Sequence, residues 1–254
     1  MISRSTDIKS ALRSRQRGFL LNPYRFGGGG GDPYYSNVSL LLHADGTNGS
    51  TTFTDNSPSP KTVTAYGNAQ ISTAQSKWGG GSALFDGAGD YATISSSTDL
   101  EFGSGNATIE LFFRPNALPS VAGGLVARDN SSGYSNFSVN YRSSGAIQAY
   151  MSFNSPTDIP LILTSSITLS VGTWYHIAFV KSGLAYVLYI DGVSRASGTA
   201  ASHPPIGLST QTIIGAFTSS TYFLNGYIDD LRITKGVARY TANFTPPAAA
   251  FPNS

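Results

Sequence analysis

The stretch Gly226-Tyr227-Ile228-Asp229-Asp230-Leu231-Arg232-Ile233-Thr234-Lys235-Gly236-Val237-Ala238-Arg239-Tyr240 decides how the rest of the chain is read. Tyr227, Ile228, Leu231 and Ile233 favour a β-strand, closed by a short basic turn. Side chains alternate with a period of two along a strand, so Asp229 and Asp230 are expected on opposite faces, one of them directed inward. An inward carboxylate costs several kcal/mol unless a hydrogen bond, a cation or a metal meets it.

Working outward, short apolar runs recur with turn residues between them: 38–42, 83–85, 91–94, 108–113, 124–127, 137–141, 147–153, 174–181, 185–190, 212–216 and 226–234. This spacing predicts an all-β chain folded as an antiparallel sandwich. Both alternating faces of 174–180 are apolar, which places that strand centrally. Ser182-Gly183 and Asp191-Gly192 are hairpin turns that join 174–181, 184–190 and 193–197 into a meander. The 254 residues include 28 glycines and only 12% charged residues, as expected for many strands and tight turns. With no cysteine, the chain has neither a disulfide nor a thiol nucleophile nor a cysteine-ligated metal.

Charge is uneven. Residues 1–26 carry Arg4, Lys9, Arg13, Arg15, Arg17 and Arg25 against Asp7, a net +5, so the remainder of this +2 chain is −3. Residues 5–17 are expected to form a short helix that persists only when docked. Arg13, Arg15, Arg17, Phe19, Leu20, Leu21, Tyr24 and Phe26 are the candidate partner-binding residues. The alternative is a solvated tail. Apolar anchors favour a protein partner over nucleic acid, since phosphate needs none. The glycine run 27–31 reads as a linker; no Gly-Lys-Ser/Thr follows it to make a phosphate cradle. These features divide the chain into a basic anchoring arm (1–26), a Gly-rich linker (27–34), a sandwich (35–245) and a Pro-rich surface tail (246–254). The start has no run of about seven apolar residues that a secretory signal needs, and nothing approaches the ~18 of a membrane span. The expectation is therefore no membrane and no export by a secretory route.

Several pieces in order carry a resemblance. They are Val38-Ser39-Leu40-Leu41-Leu42-His43-Ala44-Asp45-Gly46, Gly81-Ser82-Ala83-Leu84-Phe85-Asp86-Gly87, Ala107 to Pro115, Gly172-Thr173-Trp174-Tyr175-His176-Ile177-Ala178-Phe179-Val180, Leu188-Tyr189-Ile190-Asp191-Gly192 and the closing strand. This succession resembles the laminin-G-like, concanavalin A-like lectin/glucanase jelly rolls over about residues 35–245. The resemblance implies two stacked antiparallel sheets of six or seven strands, one face concave and one convex. With Lys235 to Tyr240 and Phe244-Thr245-Pro246-Pro247 after the closing strand, the chain looks most like the copies that tailed bacteriophages carry on accessory virion proteins. That implies a non-enzymatic structural protein of the virion, a capsid decoration or a tail or fibre component, assembled in the host cytoplasm. The arm would hold another capsid or tail protein, in a multicopy assembly. The alternative is a carbohydrate-binding adhesion module for host-surface glycans.

Jelly rolls similar to this one often hold a structural calcium on the first Asp of the closing pair. Carried over, the ligands are Asp229, Asp45 and Asp55, or Asn48 in place of Asp55; otherwise these side chains cap amides and make turns. Glycanases of the fold use a Glu-x-Asp-x-x-Glu arrangement, which is absent. Glu101 and Glu110 are the only glutamates, and His43, His176 and His203 are scattered, so no catalytic set is nominated. His176 reads as a hydrogen-bonded sheet residue. For sugar stacking, Tyr134, Tyr141, Tyr150 and Tyr222 are available, although none stands out from a background of 14 Tyr and 14 Phe.

Overall fold

The computed structural model describes residues 31–129, 135–151, 161–207, 210–218 and 221–254. The arm residues, most of the glycine run and Tyr134 lie outside the described residues. Those described form one compact unit, Gly31–Ser254.

Fifteen strands are described: β1 (Val38–Leu42), β2 (Val63–Tyr66), β3 (Gln70–Ser72), β4 (Ser82–Asp86), β5 (Tyr91–Ile94), β6 (Ala107–Pro115), β7 (Ala122–Asp129), β8 (Ser135–Arg142), β9 (Ala146–Met151), β10 (Leu161–Thr168), β11 (Tyr175–Ser182), β12 (Ala185–Ile190), β13 (Val193–Thr199), β14 (Gln211–Ile214) and β15 (Asn225–Lys235). They make two antiparallel sheets. One runs β13-β12-β11-β6-β15-β4-β3 with β1 also on β15, eight strands in all. The other has seven, β10-β9-β8-β7-β14-β5-β2. Leu40, Phe85, Leu111, Phe113, Phe179 and Leu188 from the first pack on Ile94, Val126, Phe137, Val139 and Ile147 from the second. The expected meander is β11-β12-β13, and β11 is central, between β12 and β6. At its second turn Asp191 and Gly192 both take positive φ, the geometry that a two-residue hairpin turn requires.

Strand β15 is the seam of the molecule. One edge pairs with β6 along its length. On the other edge, Asn225–Ile228 pairs with β4, and Leu231–Thr234 pairs with β1. Where the partner changes, the register with β6 shifts between Asp229 and Arg232, and Asp230 takes φ +48°. This β-bulge overturns the expectation of strict alternation. Both carboxylates are buried, at 1% and 0% exposure, and neither joins the layer between the sheets. Asp229 lies opposite Phe112, on the outer side of the eight-stranded sheet.

That outer side has its own cover. Val38, Leu41, Phe112 and Phe251 form one buried cluster, and Ala178, Val180, Tyr189 and Tyr240 another. Between them lies a buried ion network. Glu110 accepts from Arg232 Nε (2.9 Å) and Nη2 (2.7 Å) and from Tyr240 Oη (2.6 Å), with His176 Nε2 at 3.3 Å. Arg232 Nη1 (3.0 Å) and Arg239 Nη1 (3.0 Å) and Nη2 (2.6 Å) donate to Asp32. The Phe251 ring lies 3.8 Å from the Arg232 guanidinium.

Three sequence readings change accordingly. Asp32, placed in the 27–34 linker, is buried and paired, so the sandwich begins before residue 35. Within the surface tail 246–254 no strand forms, yet Phe251 is 3% exposed, its N–H donates to Asp230 Oδ2 (2.8 Å), and Ser254 O accepts from Asp32 N. Strands β2, β3 and β10 went unseen. All three are edge strands, where one flank and often one face meets water, so the apolar signal is diluted.

Burial opposes ionisation of Glu110 and Asp32, but the guanidiniums beside them prevail and hold both carboxyls below their ordinary values of 4.5 and 3.8. A carboxyl whose folded pKa is depressed stabilises the fold above its unfolded pKa and loses that contribution as pH falls toward the folded value. Glu110→Gln is expected to cost about 3–5 kcal/mol near pH 7, because it leaves buried cations uncompensated. Urea unfolding should show the gap between wild type and variant narrowing below about pH 4.5; a constant gap overturns the assignment.

Candidate functional site

Two places on the sandwich bring chemically capable side chains together. The first is the bulge in β15. Burial pushes the Asp229 carboxyl up to about 7, against the backbone N–H groups of Trp78 (3.0 Å) and Lys77 (2.6 Å) that donate to Oδ2, and with the Asp230 and Asp45 charges adding to the rise. Its other oxygen, Oδ1, is buried with no hydrogen-bond partner among the described residues. Asp45 lies close enough for its charge to act on Asp229 and accepts from Gly81 N (3.2 Å). Asp230 bonds His43 Nδ1, whose Nε2 is 2.6 Å from Asn253 Oδ1. Burial disfavours the imidazolium, but these bonds and the nearby acids raise its pKa.

Of the sequence-nominated ligands, the structure joins Asp229 and Asp45 and leaves Asp55 out. Asp55 Oδ1 accepts from Leu41 N (3.0 Å) and Ser57 N (2.9 Å), Oδ2 from Ser57 Oγ (3.0 Å) and Lys61 N (2.7 Å). It caps a turn. Asn48 Oδ1 is likewise taken by Thr73 N. Among the described residues no three His, Asp or Glu side chains gather as a metal cluster. Two carboxylates, one with an orphaned oxygen, still fit a hard cation that draws its remaining ligands from backbone oxygens and water.

The second place is a groove of about 240 Å³ on the outer face of the seven-stranded sheet. Alternation along β8 sends Phe137, Val139 and Tyr141 into the core and turns Ser138, Asn140 and Arg142 outward. Register then sets the rows: Ile162 beside Tyr150 beside Ser138, Gln148 beside Asn140, and Arg142 beside Ala122. Asn140 is 5% exposed. Its Nδ2 donates to Ser138 Oγ (3.0 Å), and its Oδ1 has no partner among the described residues. The rim is apolar: Val121, Ile162 and Tyr222 are 46%, 49% and 43% exposed.

Residues 215–218 and 221–224 build one wall. Gly215 N donates to Leu125 O (3.1 Å), Gly124 N to Tyr222 O (2.9 Å) and Leu224 N to Gly215 O (2.8 Å). This approach requires glycine at 124, since a Cβ there would strike the Ala216 carbonyl. Phe217 and Tyr222 face the groove. On its other side Phe223 meets the stacked pair Tyr91 and Tyr66 (ring centroids 4.7 Å apart). Tyr222 has φ +58°, a backbone conformation that costs about 1–2 kcal/mol for a residue with a side chain.

Residues 86–239, more than half the chain, match the family profile described as the concanavalin A-like lectin/glucanases superfamily, laminin G type. The chain belongs to this superfamily. Among solved structures it is similar to the binding domain of Paraclostridial Mosquitocidal Protein 1 (15% identity, TM-score 0.63, covering 81% of this chain and 51% of that one). It is also similar to the receptor-binding domain of botulinum neurotoxin D (15%, 0.61, 81% and 51%). A third is the botulinum neurotoxin serotype D ligand-binding domain in complex with N-acetylneuraminic acid (15%, 0.59, 81% and 49%). At this identity the likeness is one of fold, and the chain spans about half the length of these structures. A search of curated proteins finds no match.

Within a superfamily that spans lectins and glucanases, the state of the acids matters. Both glutamates of this member are committed to buried ion pairs: Glu110 as above, and Glu101 to Arg128 Nη2 (2.9 Å) and Gly207 N (2.7 Å). His176, as read from sequence, is a sheet residue, buried beside Glu110 and ringed by Phe112, Tyr240, Phe244 and Phe251. Of the four tyrosines singled out, Tyr141 is core, while Tyr150 and Tyr222 line the groove. Asn140, Arg142 and Gln148 drew no attention in the sequence. The signal that could have found them is the polar half of the alternation in 137–142.

Proposed function

We propose that this chain is a non-catalytic glycan-binding module of a tailed-phage virion, with the groove over β8, β9 and β10 as its binding surface. The observation that carries the reading is an exposed apolar and aromatic rim, Tyr222, Val121 and Ile162, set over a polar floor in which the amide oxygen of Asn140 has no partner among the described residues. Ligand sites combine apolar walls with a few placed polar groups in this way, and Tyr offers a ring for a sugar face and a hydroxyl for its rim. At about 240 Å³ the space suits a short saccharide rather than a folded partner.

Virion placement draws its support from the sequence: the resemblance to phage-borne copies, and a +5 arm with apolar anchors. Calcium, where bound, would be held by Asp229 and Asp45 with backbone oxygens, pinning the loop at Lys77 and Trp78 to the β15 bulge.

Three outcomes follow. On a glycan array, Tyr150→Ala and Tyr222→Ala should each weaken binding about tenfold or more and leave the melting temperature nearly unchanged, whereas Tyr141→Ala should lower stability by about 3–5 kcal/mol. No glycan binding by the wild type overturns the reading. Calcium at a hundredfold excess over its Kd should raise the melting temperature by about 5 °C or more, reversibly with chelator, and Asp229→Asn should abolish that response; an unresponsive wild type removes calcium from the account. Deleting residues 1–26 should leave a domain of unchanged melting temperature that no longer enters particles, and retained incorporation overturns the anchor.

A further inference from the structure

The sandwich holds six arginines, of which Arg114 donates to Asn116 Oδ1 (2.9 Å) and Arg195, on β13, has a buried Nε without a partner among the described residues. Arg128, Arg232 and Arg239 are each matched by a carboxylate within 3.0 Å. Arg142 ends β8 on the outer face, half-buried among the groove residues, and its guanidinium makes no hydrogen bond or ion pair with any described residue. Every other described lining residue is uncharged, and no carboxylate is among them. Among the described residues the groove therefore carries a positive charge with no carboxylate partner, one row from Gln148 and from Asn140, whose Oδ1 is unpaired, with a ring of Tyr222 at its lip.

We infer that the groove selects acidic saccharides, the carboxylate of a sugar acid seated on the Arg142 guanidinium. A guanidinium presents a planar fork of N–H donors that matches the two oxygens of a carboxylate, and such charge-assisted bonds are the strongest polar contacts available at a half-buried site. The amides of Asn140 and Gln148 then take the neighbouring hydroxyls, and Tyr150 or Tyr222 the apolar face of the ring. A neutral saccharide makes the second and third contacts but leaves the arginine as it was, so the acid gains selectivity from one residue. The inference rests on the groove being a glycan site.

The test measures binding of the full-length chain to sialylated oligosaccharides, to oligosaccharides of uronic acids, and to the carboxyl-reduced form of each. The wild type should prefer at least one acidic class over its reduced counterpart by about tenfold, with the preference shrinking as salt is raised. Which acid is favoured separates the two sources of the carboxylate. Arg142→Gln should erase the preference while leaving the melting temperature unchanged, and Arg142→Lys should restore part of it, keeping the charge without the fork. If acidic and reduced forms bind equally, or if Arg142→Gln binds acids as well as the wild type, the inference is overturned and the glycan reading stands. If none of the four preparations binds, both fall together.

Discussion

Two guanidiniums shared between two carboxylates hold the eight-stranded sheet to everything that lies on its outer side. Arg232 comes from the central strand, Glu110 from its neighbour, Arg239 from the segment after the sheet, and Asp32 from the first residues described. Each carboxylate is useful only while the arginines are present, and each arginine is tolerable in the interior only while both acids are ionised. The chain is thereby obliged to return over the sheet, and the aromatic rings of Tyr240, Phe244 and Phe251 close the space around the charges.

The same closure explains the bulge. A strand that trades β4 for β1 along one edge must leave main-chain groups unpaired at the exchange, and the paired aspartates fall there. Asp229 answers the amides at Lys77 and Trp78, and Asp230 answers His43 and the N–H of Phe251. Two acids in succession are thus a seam fastening, one to a loop and one to the tail.

How much of this could be read in advance follows from where each signal resides. Central strands announced themselves because both faces are apolar, as in 174–180, and the hairpin at Asp191-Gly192 because its geometry restricts residue choice. Edge strands such as Leu161–Thr168 carried too few buried positions to be seen. Asp32 looked like linker, since the two arginines that bury it are some two hundred residues away. Family resemblance names Asp45 with Asp229, whose charges act on one another in the structure, whereas Asp55 is taken by amides that no resemblance encodes. The groove was the least legible part. Its floor consists of the polar alternates of ordinary strands, and only the register among β8, β9 and β10 shows that they meet. Fold and site differ here in kind: the superfamily fixes the stacking of sheets and leaves the chemistry of their outer faces open.

The wall formed by 215–218 and 221–224 is fastened through main-chain bonds to Leu125, Gly124 and its own ends, and it requires glycine at 124 and at 215. The side chains of Phe217 and Tyr222 project from that fastening without being part of it. A scaffold secured in this manner lets its recognition residues be exchanged one at a time at little cost to folding, so related chains could acquire new ligands by substitution at these tips while the sandwich beneath them stays the same.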